Sequence, residues 1–169
     1  MKRVFILLAG IVLSGAGCVT SPPATNVTDF ILSKEIPMSY HTNIVKDTEE
    51  NENFRRVLFT GPNSQLVVMS IPPGGEVGEE THQYTEQTLF FLSGTGEAEL
   101  DDKKFPVESG DVVVVVPGTK HNFRNTGTDN LKIYTVYAPP NHIDGRVHKT
   151  KADADADAAD EAVGEVAPR

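Results

Sequence analysis

The sequence predicts an all-β domain, a barrel or sandwich of short strands filling about residues 40–150. Three observations predict it. β-Branched and aromatic runs recur at near-regular spacing, each run is closed by a cluster of turn residues, and a chain of 169 residues has room for one core only.

Taken in order, the strands are expected at residues 56–60, 65–71, 87–92, 97–100, 111–116, 121–124 and 131–137. The closing clusters are GPN, PPGG, SGTG, ESG, PG, NTGTDN and APPN, rich in the residues that tolerate turn geometry. Val112 to Val116 is a run of five valines without alternation, which predicts a strand packed on both faces. Phe90, Phe91, Phe105 and Phe123 are expected in the core and the pocket wall. The segment from Phe54 to Ile71 is the expected edge or exchanged strand if two copies pair.

Composition narrows the partners. The formal net charge is -9, and no basic patch is interleaved with aromatics, which argues against nucleic acid. The single cysteine, Cys18, excludes an intrachain disulfide. Residues 1–18 place Lys2 and Arg3 before an apolar run from Val4 to Leu13, then small residues, the layout of a secretory signal peptide. Because this stretch ends on Cys18, it resembles a bacterial lipoprotein signal with Cys18 as the lipidated residue. Gly15 stands where that pattern usually has Leu. A plain export signal with an incidental cysteine is the alternative. Residues 19–39, rich in Ser, Thr, Pro and Asn, read as a linker. Residues 151–169, with six acids against Lys151 and Arg169, read as an acidic disordered tail, although their alanines also permit a frayed helix.

Two stretches carry the chemistry. In the first, Gly74 is followed by five residues, Glu80, one residue, His82, four residues, Gln87, six residues and Gly94. Alternation puts Glu80 and His82 on one face of an extended segment, and a turn through Tyr84 and Thr85 brings Gln87 back toward them. In the second, Gly110 is followed by five residues, Val116, one residue, Gly118, two residues, His121, three residues and Asn125. The Pro117-Gly118 turn delivers His121 to the start of a strand.

These spacings resemble the two motifs of the cupin family, G(X)5HXH(X)3,4E(X)6G and G(X)5PXG(X)2H(X)3N. The resemblance extends over about residues 42–155, where the chain is similar to small bacterial single-domain cupins. It implies a double-stranded β-helix, or jelly-roll, barrel holding a divalent metal on four side chains. Position by position, Glu80 stands for the first histidine, His82 remains histidine, Gln87 stands for the glutamate and His121 remains histidine; Val116 stands for the proline. Two of the four ligand positions thus differ in type. A carboxylate, two imidazoles and an amide oxygen still suit Mn, Fe, Ni, Co or Zn. The competing reading makes Glu80 a loop acid, Gln87 a strand amide and the histidines packing groups. His41, His142 and His148 lie outside both motifs and are expected to be surface or packing residues.

Functionally the resemblance implies a metal-dependent enzyme of the cell envelope acting on a small oxygenated molecule such as a sugar, uronate or keto acid, by isomerase-type or dioxygenase-type chemistry. Tyr84, Glu86 and Tyr137 are candidate proton-transfer groups. A noncatalytic barrel that captures a small ligand is the second reading, and a metal-free structural barrel the third. A homodimer is implied by resemblance alone.

Overall fold

The computed structural model describes residues 39–165. The signal peptide, Cys18, all but the last residue of the 19–39 linker, and residues 166–169 of the tail lie outside the described residues.

Helix α1 (Ile44–Glu49) opens the domain, capped by Asn43, whose side chain accepts from the Lys46 N–H. Ten strands follow: β1 (Arg55–Thr60), β2 (Gln65–Ile71), β3 (Glu80–Thr81), β4 (Glu86–Ser93), β5 (Thr95–Leu100), β6 (Lys103–Glu108), β7 (Val112–Val115), β8 (Lys120–Asn125), β9 (Leu131–Ala138) and β10 (Val147–His148). All seven expected strands are present within one or two residues of their expected ends. They form a six-stranded sheet, β10-β1-β2-β9-β4-β7, and a four-stranded sheet, β3-β8-β5-β6, antiparallel throughout.

The inner faces of both sheets supply one core. Val67, Met69, Leu89, Phe91 and Ile133 come from the larger sheet, and Ala98, Val107 and Phe123 from the smaller, with Phe91 and Phe123 ring centroids 5.8 Å apart. Full burial of each large side chain contributes about 1.5–3 kcal/mol. The core is the expected two-sheet barrel.

Three expectations fail for identifiable reasons. The valine run is not packed on both faces: β7 is the last strand of its sheet, so Val113 and Val115 are buried while Val112, Val114 and Val116 are 54%, 49% and 54% exposed. Composition had no alternation to show because valine fills both faces. Phe90 is not in the core. It points outward from β4 and stacks on Tyr134 at 4.8 Å, whereas its neighbour Phe91 points inward.

Within the segment from Phe54 to Ile71, β2 is paired on both sides by β1 and β9, whereas β1 meets the short β10 only at Arg55 and Arg56. The third failure concerns the tail. Residues 151–165 are ordered as α2 (Lys151–Asp155) and α3 (Ala158–Gly164), the first closed by a Thr150–Asp153 capping box and the second capped by Asp157. Asp153, Asp155, Asp157 and Asp160 serve in caps and ion pairs, and Asp160 is 1% exposed.

Strands β3, β6 and β10 are additional. In β6, Pro106 and two lysines hide the strand signal, and β6 tolerates them because it is the outer strand of its sheet. Charged residues on the small sheet, Glu76, Arg124, Glu99 and Lys104, join in ion pairs.

Candidate metal centre and its cleft

The chain builds the site where it passes from one sheet to the other. Strand β3 pairs with β8 so that Glu80 lies opposite His121. A bend at Gln83 and Tyr84 then carries the chain into β4 on the other sheet, where Gln87 lies between Val115 of β7 and Tyr137 of β9. The turn before β8 is locked onto the same segment by a hydrogen bond from the Gly118 N–H to the His82 carbonyl, 2.9 Å, with Gly118 at a φ of 84° that favours glycine.

This arrangement gathers Glu80, His82 and His121, with one ligand-competent atom from each within 4.8 Å of the others. Glu80 Oε2 lies 3.5 Å from His82 Nε2 and 3.9 Å from His121 Nε2. Donor atoms sharing an ion at about 2.1 Å sit roughly 3.0–3.4 Å apart, so small side-chain adjustments suffice. His121 Nδ1 is 2.9 Å from the Thr119 carbonyl, which fixes the proton on Nδ1 and leaves Nε2 as an acceptor.

Gln87 donates through Nε2 to the Tyr137 hydroxyl at 2.9 Å. Its Oε1, together with His82 Nε2 and His121 Nε2, is buried without a hydrogen-bond partner among the described residues. Two buried imidazole nitrogens without partners, gathered around the Glu80 carboxylate, match the needs of a cation. The donor set therefore fits a divalent metal.

The electrostatics agree. Burial lowers the His121 pKa, with the His82 charge adding to that and the Thr119 and Glu80 interactions opposing it, so the ring stays neutral. Burial pushes the Glu80 carboxyl up, but His82, Arg55 and His121 outweigh it and its pKa is lowered, so the carboxylate is charged. Burial and then the Glu80 charge raise the Tyr137 pKa well above its ordinary value, so its phenol keeps its proton.

Of the three proton-transfer candidates, Tyr137 alone is drawn into the interior; its ring meets His82 edge-on at 5.8 Å, while Tyr84 and Glu86 are exposed. Beside the cluster opens a cleft of about 370 Å³, in the size range of small-molecule sites. Glu80 and His82 line one side, and Asn141, His142 and Asp160 line another.

The expectation for His142 and His148 is corrected in part: both are buried, but in an ion-pair cluster rather than apolar packing. His142 Nδ1 lies 2.9 Å from Asp160 Oδ2, and Arg55 Nη2 lies 3.2 Å from the same oxygen. Arg55 Nε also donates to His148 Nδ1 at 3.4 Å, and His148 Nε2 lies 3.0 Å from Asp157 Oδ2. Nothing in the motif spacing marks these residues. His41 is exposed, as expected.

Comparison with known proteins places the fold and the family. The family described as "Cupin domain" matches residues 67–137. YrkC of Bacillus subtilis is 40% identical over 124 residues, covering 70% of this chain and 67% of that protein. A protein of Acanthamoeba polyphaga mimivirus is 35% identical over 112 residues, covering 64% of this chain and 70% of that protein. Among solved structures, a Bacillus halodurans protein superimposes with a TM-score of 0.69 at 39% identity, covering 71% of this chain and 96% of that one.

Proposed function

The chain belongs to the cupin family, and from that premise we propose that it is a metal-dependent enzyme of the cell envelope that acts on a small oxygenated molecule. The observation that carries the metal reading is the meeting of the Glu80 carboxylate with two unpartnered buried nitrogens, His82 Nε2 and His121 Nε2.

Each residue has a distinct task. Glu80 supplies the negative charge. His82 and His121 supply neutral imidazole nitrogens. Gln87 adds an uncharged oxygen, its amide held through Nε2 by the Tyr137 hydroxyl. A divalent ion held there, Mn, Fe, Co, Ni or Zn, supplies Lewis-acid polarisation of a bound oxygen, and iron adds oxygen chemistry. Tyr137, protonated and buried against His82, fixes the Gln87 amide and keeps water from that side of the cluster.

The test is elemental analysis of protein beginning after Cys18, purified without chelator or a His tag. About one equivalent of metal is expected in the parent and none in a folded His82→Ala, His121→Ala variant. A parent that neither carries nor takes up any of these ions would falsify the metal reading.

A noncatalytic ligand-binding barrel is the second reading. The changed residue types at Glu80 and Gln87 favour it. Saturable binding of a small molecule by metal-loaded protein, without turnover or oxygen uptake, decides for it.

The envelope reading rests on Lys2, Arg3, the apolar run and Cys18. One lipid chain gives weak membrane attachment, so a diacylated Cys18 is the form expected. Partition of the full chain into a detergent phase, abolished by Cys18→Ser, supports the anchor; equal partition of both chains removes it.

A further inference from the structure

His142 belongs to neither motif, yet it lines the same cleft as Glu80 and His82. Its Nδ1 is committed to Asp160 at 2.9 Å, and Asp160 is itself held by Arg55 at 3.2 Å and by the Ile143 N–H at 2.8 Å. With a carboxylate at Nδ1 the ring proton sits there, leaving the free lone pair at Nε2. His142 is 5% exposed, and Nε2 has no hydrogen-bond partner among the described residues. The residue is a buried acceptor lacking a donor, beside a cleft large enough to hold one.

The walls restrict what that donor is attached to. Glu79, Glu161 and Glu165 line the cleft as carboxylates. Its two permanently cationic side chains are already engaged: Arg55 by Asp160, and Lys151 by both oxygens of Asp155 at 2.7 Å. Neither is free to receive an anion.

We propose that His142, oriented by Asp160, accepts a hydrogen bond from a hydroxyl or ammonium group of the ligand, and that the end of the ligand at His142 carries no negative charge. The ligand sits between His142 and the Glu80–His82–His121 cluster. The inference deepens the metal-site reading, on which it rests for the other end of the ligand, where the ion's own charge receives any anionic group. It favours a hydroxyl or ammonium over a carboxylate at the His142 end. Asp160 is a positioning residue, because it acts through His142.

The test uses full-length protein in detergent micelles, labelled with ¹⁵N-histidine, with metal content measured before and after zinc loading. The probes are glycerol, ethanolamine and glycolate, and the readout is the Nε2 resonance of His142, assigned by its loss in His142→Gln. Glycerol and ethanolamine are expected to move that resonance saturably. In metal-free protein, where no ion can hold its carboxylate, glycolate is expected to need at least about threefold more, a gap that narrows in Glu161→Gln, Glu165→Gln, whose exposed rim carboxylates act through the local field.

Asp160→Asn is expected to shift the Nδ1 and Nε2 signals toward a mixed tautomer. The rim variant carries the test if that chain does not fold. A His142 signal unmoved by all three probes, or moved first by glycolate in metal-free protein, overturns the proposal. Zinc-loaded protein with a silent His142 sinks this inference alone, whereas a responsive His142 in protein that takes up no metal sinks only the metal reading.

Discussion

Around Glu80 the imidazole nitrogens stand 3.5 and 3.9 Å from the carboxylate, whereas around Asp160 an imidazole and a guanidinium close to 2.9 and 3.2 Å. Both clusters combine buried histidine with a carboxylate, and both face one cleft. The difference is the counter-charge. Asp160 has Arg55 and the Ile143 N–H, so its lone pairs are satisfied within the chain. Glu80 has no hydrogen-bonded cation among the described residues, and the nitrogens nearest it are left without donors. A carboxylate that stabilises the fold is answered within the chain, and one kept for an outside ion is left without a close counter-charge.

The largest expected effect separates the two directly. Asp160→Ala leaves Arg55 buried without its partner and should cost about 3–5 kcal/mol in denaturant unfolding of metal-free protein. Glu80→Gln in the same assay should cost less than about 1 kcal/mol, because it removes no closed ion pair. Equal losses would erase the distinction.

Metal competition titrations should reverse that order. Losing the Glu80 charge should weaken zinc binding by at least the roughly 10–100-fold that outer-shell changes already cost. The rim variant Glu161→Gln should leave it within about threefold. A Glu80→Gln protein with parental affinity places the ion elsewhere.

Acid sharpens the comparison further, in metal-free protein. Despite its burial, Asp160 is pulled down to about 2 from 3.8 by His142, the Ile143 N–H and Arg55. The unfolded chain therefore takes up this proton first, so the contribution of Asp160, about 2 kcal/mol, is present above 3.8 and lost as pH falls toward 2. His121 and His142 have pKa values lowered from 6.5, chiefly by burial, so the unfolded chain also binds their protons first. Stability should begin to fall below pH 6.5 and fall again in the carboxylate range, where Glu80, lowered from 4.5, contributes beside Asp160. Asp160→Asn should shrink the second fall, and an unchanged second fall would assign it to the other carboxylates.

The smallest expected effect lies far from both clusters. Val114→Thr on the exposed face of β7 should change stability by no more than about 0.5 kcal/mol. A loss of several kcal/mol in dilute protein would mean that this face is covered.

Strand positions and the metal cluster were legible in the sequence because each depends on local order. Turn residues mark strand ends, and the spacing through Glu80, His82, Gln87 and His121 survives two changes of residue type. Facing was less legible. Five consecutive valines do not say which of them lies outside, and Pro106 masks β6 until its outer position is known.

The Asp160 cluster could not be read at all. Its members lie at 55, 142 and 160, without a motif, and the alternation of Ala and Asp that suggests a solvated tail also supplies helix caps. Burial of Asp160 depends on Arg55, a partner that local composition does not indicate.

The separation between Arg55 and Asp160 also sets the order in which the molecule can be completed. They are 105 residues apart, and Asp160 lies nine residues from the end of the chain. Synthesis runs from the N-terminus, so both sheets can be made while Arg55 still lacks its counter-charge. A product lacking α3 would retain every described strand but leave the Arg55 guanidinium without Asp160. The clamp thus ties the stability of the barrel to the arrival of α3.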